Sequence, residues 1–332
     1  MATSARFPAA RWRAGMYESF YLRAVSPAEP VGVWIRNTVH KRPGQSPRGS
    51  IWCTVFDAGR GAPFMQKLTT ERLSSPPGGW IALGGRSEMG PGGAQGSSGE
   101  ASWSLRFASR EPELRHLSPE LLYRLPLPRT KLTSPAPAAS FDGVVELASR
   151  PAIELSGWPG MVGHNWGSEH AERWIWLHGV GFEGAPDAWI DVALGRLLVA
   201  GRMTPWVANG ALSLDGRRFR IGGLGGRRPQ VAESARGCTL RLAGERGLTV
   251  EAHAEVPAGS AAGWRYADPD GGEHDVINCS VAALELLVQP RDDGAPRRLR
   301  TAHGGAYELG IRTGEGTDEP DHGVPIAPFG DG

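Results

Sequence analysis

The chain predicts a mainly β protein built as two antiparallel sheet domains packed together, and three observations carry that prediction. Short apolar or alternating runs recur throughout, punctuated by Gly, Pro, Asn and Asp, which is how strands and tight turns read. The 47 glycines and 27 prolines are high for a helical protein, and stretches of good helix formers at a period of 3.6 are scarce. The length of 332 residues exceeds one ordinary core and suits two. Strands are expected within 32–40, 51–56, 79–83, 102–107, 173–180, 188–193, 217–221, 238–242, 248–254 and 282–289, with short helices only after Ser118 and near Leu197.

A Pro-, Ala- and Ser-dense segment over 125–139 marks the expected junction. It divides the chain into an N-terminal β domain at 12–140 and a C-terminal one at 141–313, followed by a Gly-, Pro- and acid-rich flexible tail at 314–332. The low-complexity stretch 90–98 reads as a mobile hairpin loop. A pattern recurs between the halves. Glu18 begins an aromatic run that is followed by Trp34-Ile35-Arg36, and Glu172 begins another that is followed by Trp189-Ile190-Asp191 at a similar offset. This predicts two related sheets with Glu18 and Glu172 at corresponding strand starts.

Lys plus Arg total 36 against 35 Asp plus Glu, so nothing in the charge calls for nucleic acid or an anionic partner. Cys53, Cys238 and Cys279 are an odd set at wide spacing, which fits neither a disulfide framework nor a zinc knuckle. No apolar run has the length of a signal peptide or membrane span, so a soluble cytoplasmic protein is expected. Twelve tryptophans are the unusual count, and they imply a Trp-rich core or an aromatic-lined cavity.

The densest constellation runs over 160–179 and holds three histidines, the three tryptophans Trp166, Trp174 and Trp176, and the acids Glu169 and Glu172. Alternation places Trp174, Trp176 and His178 on one face of a strand, with Ile175 and Leu177 on the other. The plain alternative is that these aromatics fill a core and the histidines satisfy buried polar groups. His164, His170 and His178 with Glu169 could ligate a metal, but their spacing matches no compact zinc motif and no metal is expected. Ser168 lacks the G-x-S-x-G setting of a hydrolase nucleophile, and the glycines at 223–226 lack the Lys and helix of a phosphate loop.

The run His164-Asn165-Trp166-Gly167, the Trp174-x-Trp176 strand and the start Tyr17-Glu18-Ser19-Phe20-Tyr21 resemble the two-domain lipocalin-like superfamily that includes carotenoid 1,2-hydratase, tocopherol cyclase and the AttH-like proteins. The resemblance implies two lipocalin-like β-barrels and a long apolar ligand, isoprenoid or polyene in character, with no cofactor. It also implies a departure: the acid-bearing Tyr-x-Asp-x-Asn element of the hydratases keeps its Asn at Asn165 but has Met161 and Gly163 at the other two positions. Glu169 or Glu172 is then the replacement acid, and His164 or His170 the base, for a cyclisation, hydration or isomerisation. Asn165, Trp166, Trp174, Trp176, His178 and Trp189 are the expected ligand-binding residues. A non-catalytic lipid carrier or sensor, or a scaffold protein, uses the same features without chemistry. Oligomeric state is left open.

Overall fold

A computed structural model describes residues 3–291, 294–313 and 323–327. The chain is nearly all antiparallel β. In the first half the strands are β1 (Met16–Val25), β2 (Val31–Lys41), β3 (Arg48–Asp57), β4 (Gly61–Thr70), β5 (Leu73–Ser74), β6 (Ile81–Leu83), β7 (Ser87–Gly90), β8 (Gly93–Ser98), β9 (Ala101–Ala108), β10 (Leu114–Arg115), β11 (Thr130–Leu147) and β12 (Arg150–Gly167). The second half has β13 (Arg173–Gly179), β14 (Trp189–Arg196), β15 (Leu198–Val199), β16 (Arg202–Met203), β17 (Val207–Leu214), β18 (Arg217–Gly222), β19 (Gln230–Ser234), β20 (Gly237–Ala243), β21 (Thr249–Glu255), β22 (Ala262–Ala267), β23 (Glu273–Gln289), β24 (Arg297–Thr313) and β25 (Ile326–Ala327).

The two sheets repeat one plan. The first runs β4-β3-β2-β1-β12-β11-β9-β8-β7-β6-β5, and the second runs β18-β17-β14-β13-β24-β23-β21-β20-β19. In each, a four-stranded meander is closed on its first strand by the last strand of the half, and that last strand belongs to a long hairpin. Glu18 stands in the first turn of β1 and Glu172 immediately before β13, so the recurring acid-aromatic pattern marks the opening strand of each sheet. Their surroundings differ. Glu18 is fully buried and accepts the backbone N–H groups of Arg6 and Phe7, whereas Glu172 pairs with Arg312 near the surface.

Several local expectations read differently in space. From Thr130 on, the Pro- and Ala-rich segment is strand: the division at 140/141 falls inside β11, and sheet membership changes between Gly167 and Arg173. Pro135 and Pro137 cannot donate to the ladder, and the β11–β12 pairing shifts register on either side of Ala136. The stretch 90–98 is not a loose loop but the paired β7–β8 hairpin. A 3-10 turn does follow Ser118, at Glu120–Tyr123, while the region after Leu197 forms the small β15–β16 hairpin in place of a helix. Of the expected tail, 314–322 and 328–332 lie outside the described residues, and Ile326 and Ala327 pair in parallel with β22. Cys53, Cys238 and Cys279 are free and buried. Among the described residues no helix is long and apolar enough to cross a membrane.

The arrangement of the halves follows from alternation. On β1 to β3, Phe20, Leu22, Val33, Ile35, Ile51 and Val55 point into the core of the first sheet. Their neighbours Trp34, Trp52 and Phe56 point the other way, into a core shared with Trp264 and Val276 of the second half. Losing one such indole costs about 3–5 kcal/mol. Strands apolar on both faces cannot front water, so the second domain covers them.

A polar seam crosses this contact. Arg23, fully buried on β1, donates to the Gly304 and Ser280 carbonyls at 3.1 and 2.8 Å and to His178 Nδ1 at 2.9 Å. His178 Nε2–H in turn donates to the Pro137 carbonyl at 2.9 Å, returning the chain of bonds to the first half. Beside it Asp191 accepts from Ser134 Oγ at 2.5 Å and from Trp176 Nε1 at 3.0 Å. Burial lowers the Arg23 pKa to about 9, so the cation persists at neutral pH with no carboxylate bonded to it. We expect Arg23→Leu to leave two carbonyls and an imidazole nitrogen unsatisfied and to cost about 3–5 kcal/mol. Urea unfolding followed by far-UV circular dichroism checks this; an unchanged midpoint would mean the seam contributes nothing net.

Candidate functional site

The seam between the sheets opens into an apolar cavity of about 380 Å3. It lies between the two sheets, lined by Tyr21, Trp34 and Asn165 on one side and by Trp174, Trp176 and Glu308 on the other. The cause is the face presented: Trp174 and Trp176 point across to the first sheet, while Ile175 and Leu177 fill the second domain's own core.

Register builds the second sheet's wall in two rows. Trp176 stands opposite Ala193 on β14 and Glu308 on β24, and Ala193 is opposite Asn209 on β17. The adjacent row is Val207, Gly195, Trp174 and Gly310. Gly195 and Ala193 present almost no side chain, and a methyl group placed on Gly195 would meet only Ala171 Cβ, at 3.4 Å. Gly310 is different, because any side chain there would collide with the Trp174 indole lying flat across it. The first sheet repeats that device: Tyr21 is paired with Gly163, and a side chain at Gly163 would collide with the Tyr21 ring and hydroxyl. Trp34, Arg36, Asn165, Thr130 and Leu132 complete this wall.

The polar groups gather at the buried end, around Tyr266. Glu308 Oε1 accepts from Trp174 Nε1 at 2.9 Å, and Oε2 accepts from Asn278 Nδ2 at 3.1 Å and from the Tyr266 hydroxyl at 3.4 Å. The Arg36 guanidinium lies 4.1 Å over the Tyr266 ring, a cation–π contact, and donates from Nε to Ser19 Oγ at 2.8 Å. Burial pushes the Tyr21 and Tyr266 hydroxyls well up, so both stay protonated.

His170 is the titratable base here. Its Nδ1 is 2.6 Å from Asp268 Oδ1, which also accepts the His170 backbone N–H at 2.9 Å, and Asp268 Oδ2 is 2.8 Å from His274 Nε2. Burial opposes charge on Asp268, but the two imidazole hydrogen bonds outweigh it and hold the carboxyl below its ordinary range. An ionised acceptor fixes the proton on His170 Nδ1 and leaves Nε2 as a lone pair. That Nε2 is buried and has no hydrogen-bond partner. The ring is clamped between Tyr17, 4.0 Å away, and Trp174, 5.4 Å away, and burial lowers its pKa to about 4. His170, Asp268 and His274 also bring three potential metal-ligand atoms within 4.8 Å of one another, though the carboxylate already engages one nitrogen of each imidazole.

Of the residues singled out from sequence, His170, Asn165, Trp174 and Trp176 line the cavity, and His164, Trp166, Glu169, His178 and Trp189 do not. A period of two explains the first split. Asn165 faces the cavity, so His164 and Trp166 face the first barrel, where His164 stacks on Phe20 at 4.2 Å and meets Glu18 at 2.7 Å. Glu169 sits in the turn after β12 and is engaged by Arg129 and Arg312. Glu172 is held by the same Arg312. His178 belongs to the seam described above. Trp189, at the far end of β14, is buried in the second core with the Arg218 guanidinium 4.9 Å over its ring. The residues that sequence reading missed are Tyr21, Arg36, Tyr266, Asp268 and Glu308. Glu308 carried a signal, being a lone acid in the apolar, glycine-rich run 304–310; Asp268, in an acidic turn, carried none.

No family model matches the chain. An uncharacterized protein of Mycobacterium tuberculosis, Rv0493c, is 25% identical over 314 residues, covering 93% of this chain and 90% of the relative. Among solved structures, CghA with Sch210972 aligns with a TM-score of 0.63 at 14% identity, over 91% of this chain and 89% of that one. An AttH-like protein from Nitrosomonas europaea aligns at a TM-score of 0.49 and 13% identity. The likeness to CghA is one of fold, and it places the chain among lipocalin-like two-sheet architectures.

Two buried histidines make stability depend on pH. His170 and His178 both have pKa values lowered to about 4 by burial, against an ordinary 6.5. The unfolded chain therefore binds more protons between these values, so stability is full above about pH 6.5 and falls as pH drops toward 4, by on the order of 3 kcal/mol per histidine. Urea midpoints measured from pH 7.5 to 4.5 should fall steeply, and the slope should flatten in His178→Gln. Parallel curves for variant and wild type would contradict this.

Proposed function

We propose that the chain binds a long apolar molecule, isoprenoid-like or polyene, in the interdomain cavity and carries out a cofactor-free proton-transfer reaction on it, of the cyclisation or isomerisation type. The observation that carries the reading is the pairing of an aromatic-walled cavity with an unsatisfied, oriented imidazole nitrogen at its buried end. CghA, which shares the fold, was solved with the small molecule Sch210972, and that supports use of the architecture for a small organic ligand.

The roles follow from the chemistry available. His170 Nε2, neutral at pH 7 and oriented through Nδ1–H by Asp268, accepts a proton from one carbon of the bound chain and returns it to another carbon of the same chain, so the reaction consumes and releases no net proton. The Tyr21 hydroxyl, held protonated, donates a hydrogen bond to an oxygen of the ligand. The Trp174 face stacked with the His170 ring stabilises the imidazolium that forms between the two transfers. Exclusion of water from so apolar a space strengthens each of these interactions. Glu308, fixed by Trp174 and Asn278, serves as a hydrogen-bond acceptor that orients a polar head.

Titration with a long-chain polyene should quench tryptophan fluorescence, and Trp176→Ala should abolish the quenching while circular dichroism stays unchanged. A response unaltered in that variant would locate binding elsewhere. Where turnover of the polyene is followed by absorbance, His170→Gln should lower it by about 10² to 10⁴ while binding persists. Activity should be flat at neutral pH and fall as pH drops through about 4, where Nε2 becomes protonated. Equal turnover in wild type and His170→Gln would leave binding without this chemistry, the behaviour of a carrier.

A further inference from the structure

Eight large apolar side chains are exposed among the described residues, and seven of them stand on segments that contribute lining residues to the cavity. They come from three separate turns. Leu121, Leu125 and Leu127 project from the 3-10 turn and the proline-rich loop after it, whose Leu122 and Pro128 line the cavity. Leu198, Val199 and Met203 form the β15–β16 hairpin, and its flanking Leu197 and Thr204 are also lining residues. Leu224 tops a turn of four glycines and is 61% exposed while touching the cavity, and its N–H bonds the Ser118 carbonyl at 3.2 Å, tying this turn to the first.

Charge accompanies these tips. The segments 117–129, 196–206 and 222–229 hold six arginines (Arg124, Arg129, Arg196, Arg202, Arg227, Arg228) and a single acid, Glu120, with Arg129 paired to Glu169. The whole chain has a net charge of only +1, so this excess is local to the mouth. Thin glycine- and proline-built turns that each raise one to three apolar side chains offer no continuous flat face for a protein partner to pack against. Separate apolar tips set among cations suit a fluid apolar phase beneath anionic headgroups.

We propose that the rim of the cavity docks on the surface of an anionic lipid bilayer, the leucine tips entering the boundary between headgroups and acyl chains and the arginines contacting the headgroups. The ligand then passes between bilayer and cavity without crossing water. This passage rests on the ligand-binding reading above; the docking itself rests on the rim alone.

Flotation of the full chain with phosphatidylcholine vesicles, with and without phosphatidylglycerol, tests it. Binding should require the anionic lipid and weaken with added salt. Leu121→Asp with Leu198→Asp and Met203→Asp, all on side chains that do not line the cavity, should weaken vesicle binding by about ten-fold or more, as should Arg202→Glu with Arg228→Glu. Fluorescence quenching by a water-dispersed short polyene, measured without vesicles, should be the same in these variants as in wild type, which separates docking from cavity binding. Absence of wild-type flotation at low salt, or flotation unchanged in both sets of variants, would overturn the proposal. A concentration-dependent dimer that the leucine variants abolish would also overturn it, by showing that a second copy covers the rim.

Discussion

Everything distinctive in this molecule depends on one constraint, that the first sheet is apolar on both faces. An ordinary antiparallel sheet hides one face and wets the other. Here β1 to β3 send aliphatic side chains inward and Trp34, Trp52 and Phe56 outward, and the outward row is stable only beneath a second body of protein. Two curved sheets pressed together in this way do not fit everywhere. Where the aromatic rows of β1, β2 and β13 diverge, the gap between them is the cavity, so the cavity is a by-product of packing.

The contact is apolar in bulk but registered by polar groups. A buried cation with no carboxylate bonded to it is costly, and Arg23 offsets part of that cost through its two terminal nitrogens, which meet carbonyls from β23 and β24 and an imidazole from β13, while its Nε stays unpartnered. Those acceptors exist only in one relative placement of the halves. The same holds for Asp191, whose partners Ser134 and Trp176 belong to opposite domains. Such bonds add less to stability than the tryptophans do, but they discriminate between alignments that apolar contact alone would tolerate.

How much of this was legible in the residues varies with the range of the physics involved. Strand character was legible because alternation and turn residues act locally, and the doubled plan was legible because an acid-aromatic start recurs at Glu18 and Glu172. The division of the halves was misread at 125–139, since proline density signals a linker yet here marks bulges within a long strand. The aromatic wall of Trp174 and Trp176 was legible from period two, but the direction it faces was not: a strand's two faces are equivalent in sequence until it is known which other sheet approaches. That is why Trp166 and Trp189 were expected in the site and Tyr21 was not. His170 was legible as a candidate, while its orienting partner Asp268, 98 residues away, was not, because only the fold brings the two together.

The near-bare patch at Gly195 and Ala193 bears on how such a protein diversifies. Most glycines in these sheets are fixed by backbone or ring atoms pressed against them, but at Gly195 there is room, and added atoms there project into the ligand space. A single nucleotide change can install alanine or valine at such a codon, shortening the cavity while leaving the strand intact. A larger side chain at this one position in the middle of β14 therefore reshapes the cavity without a new fold.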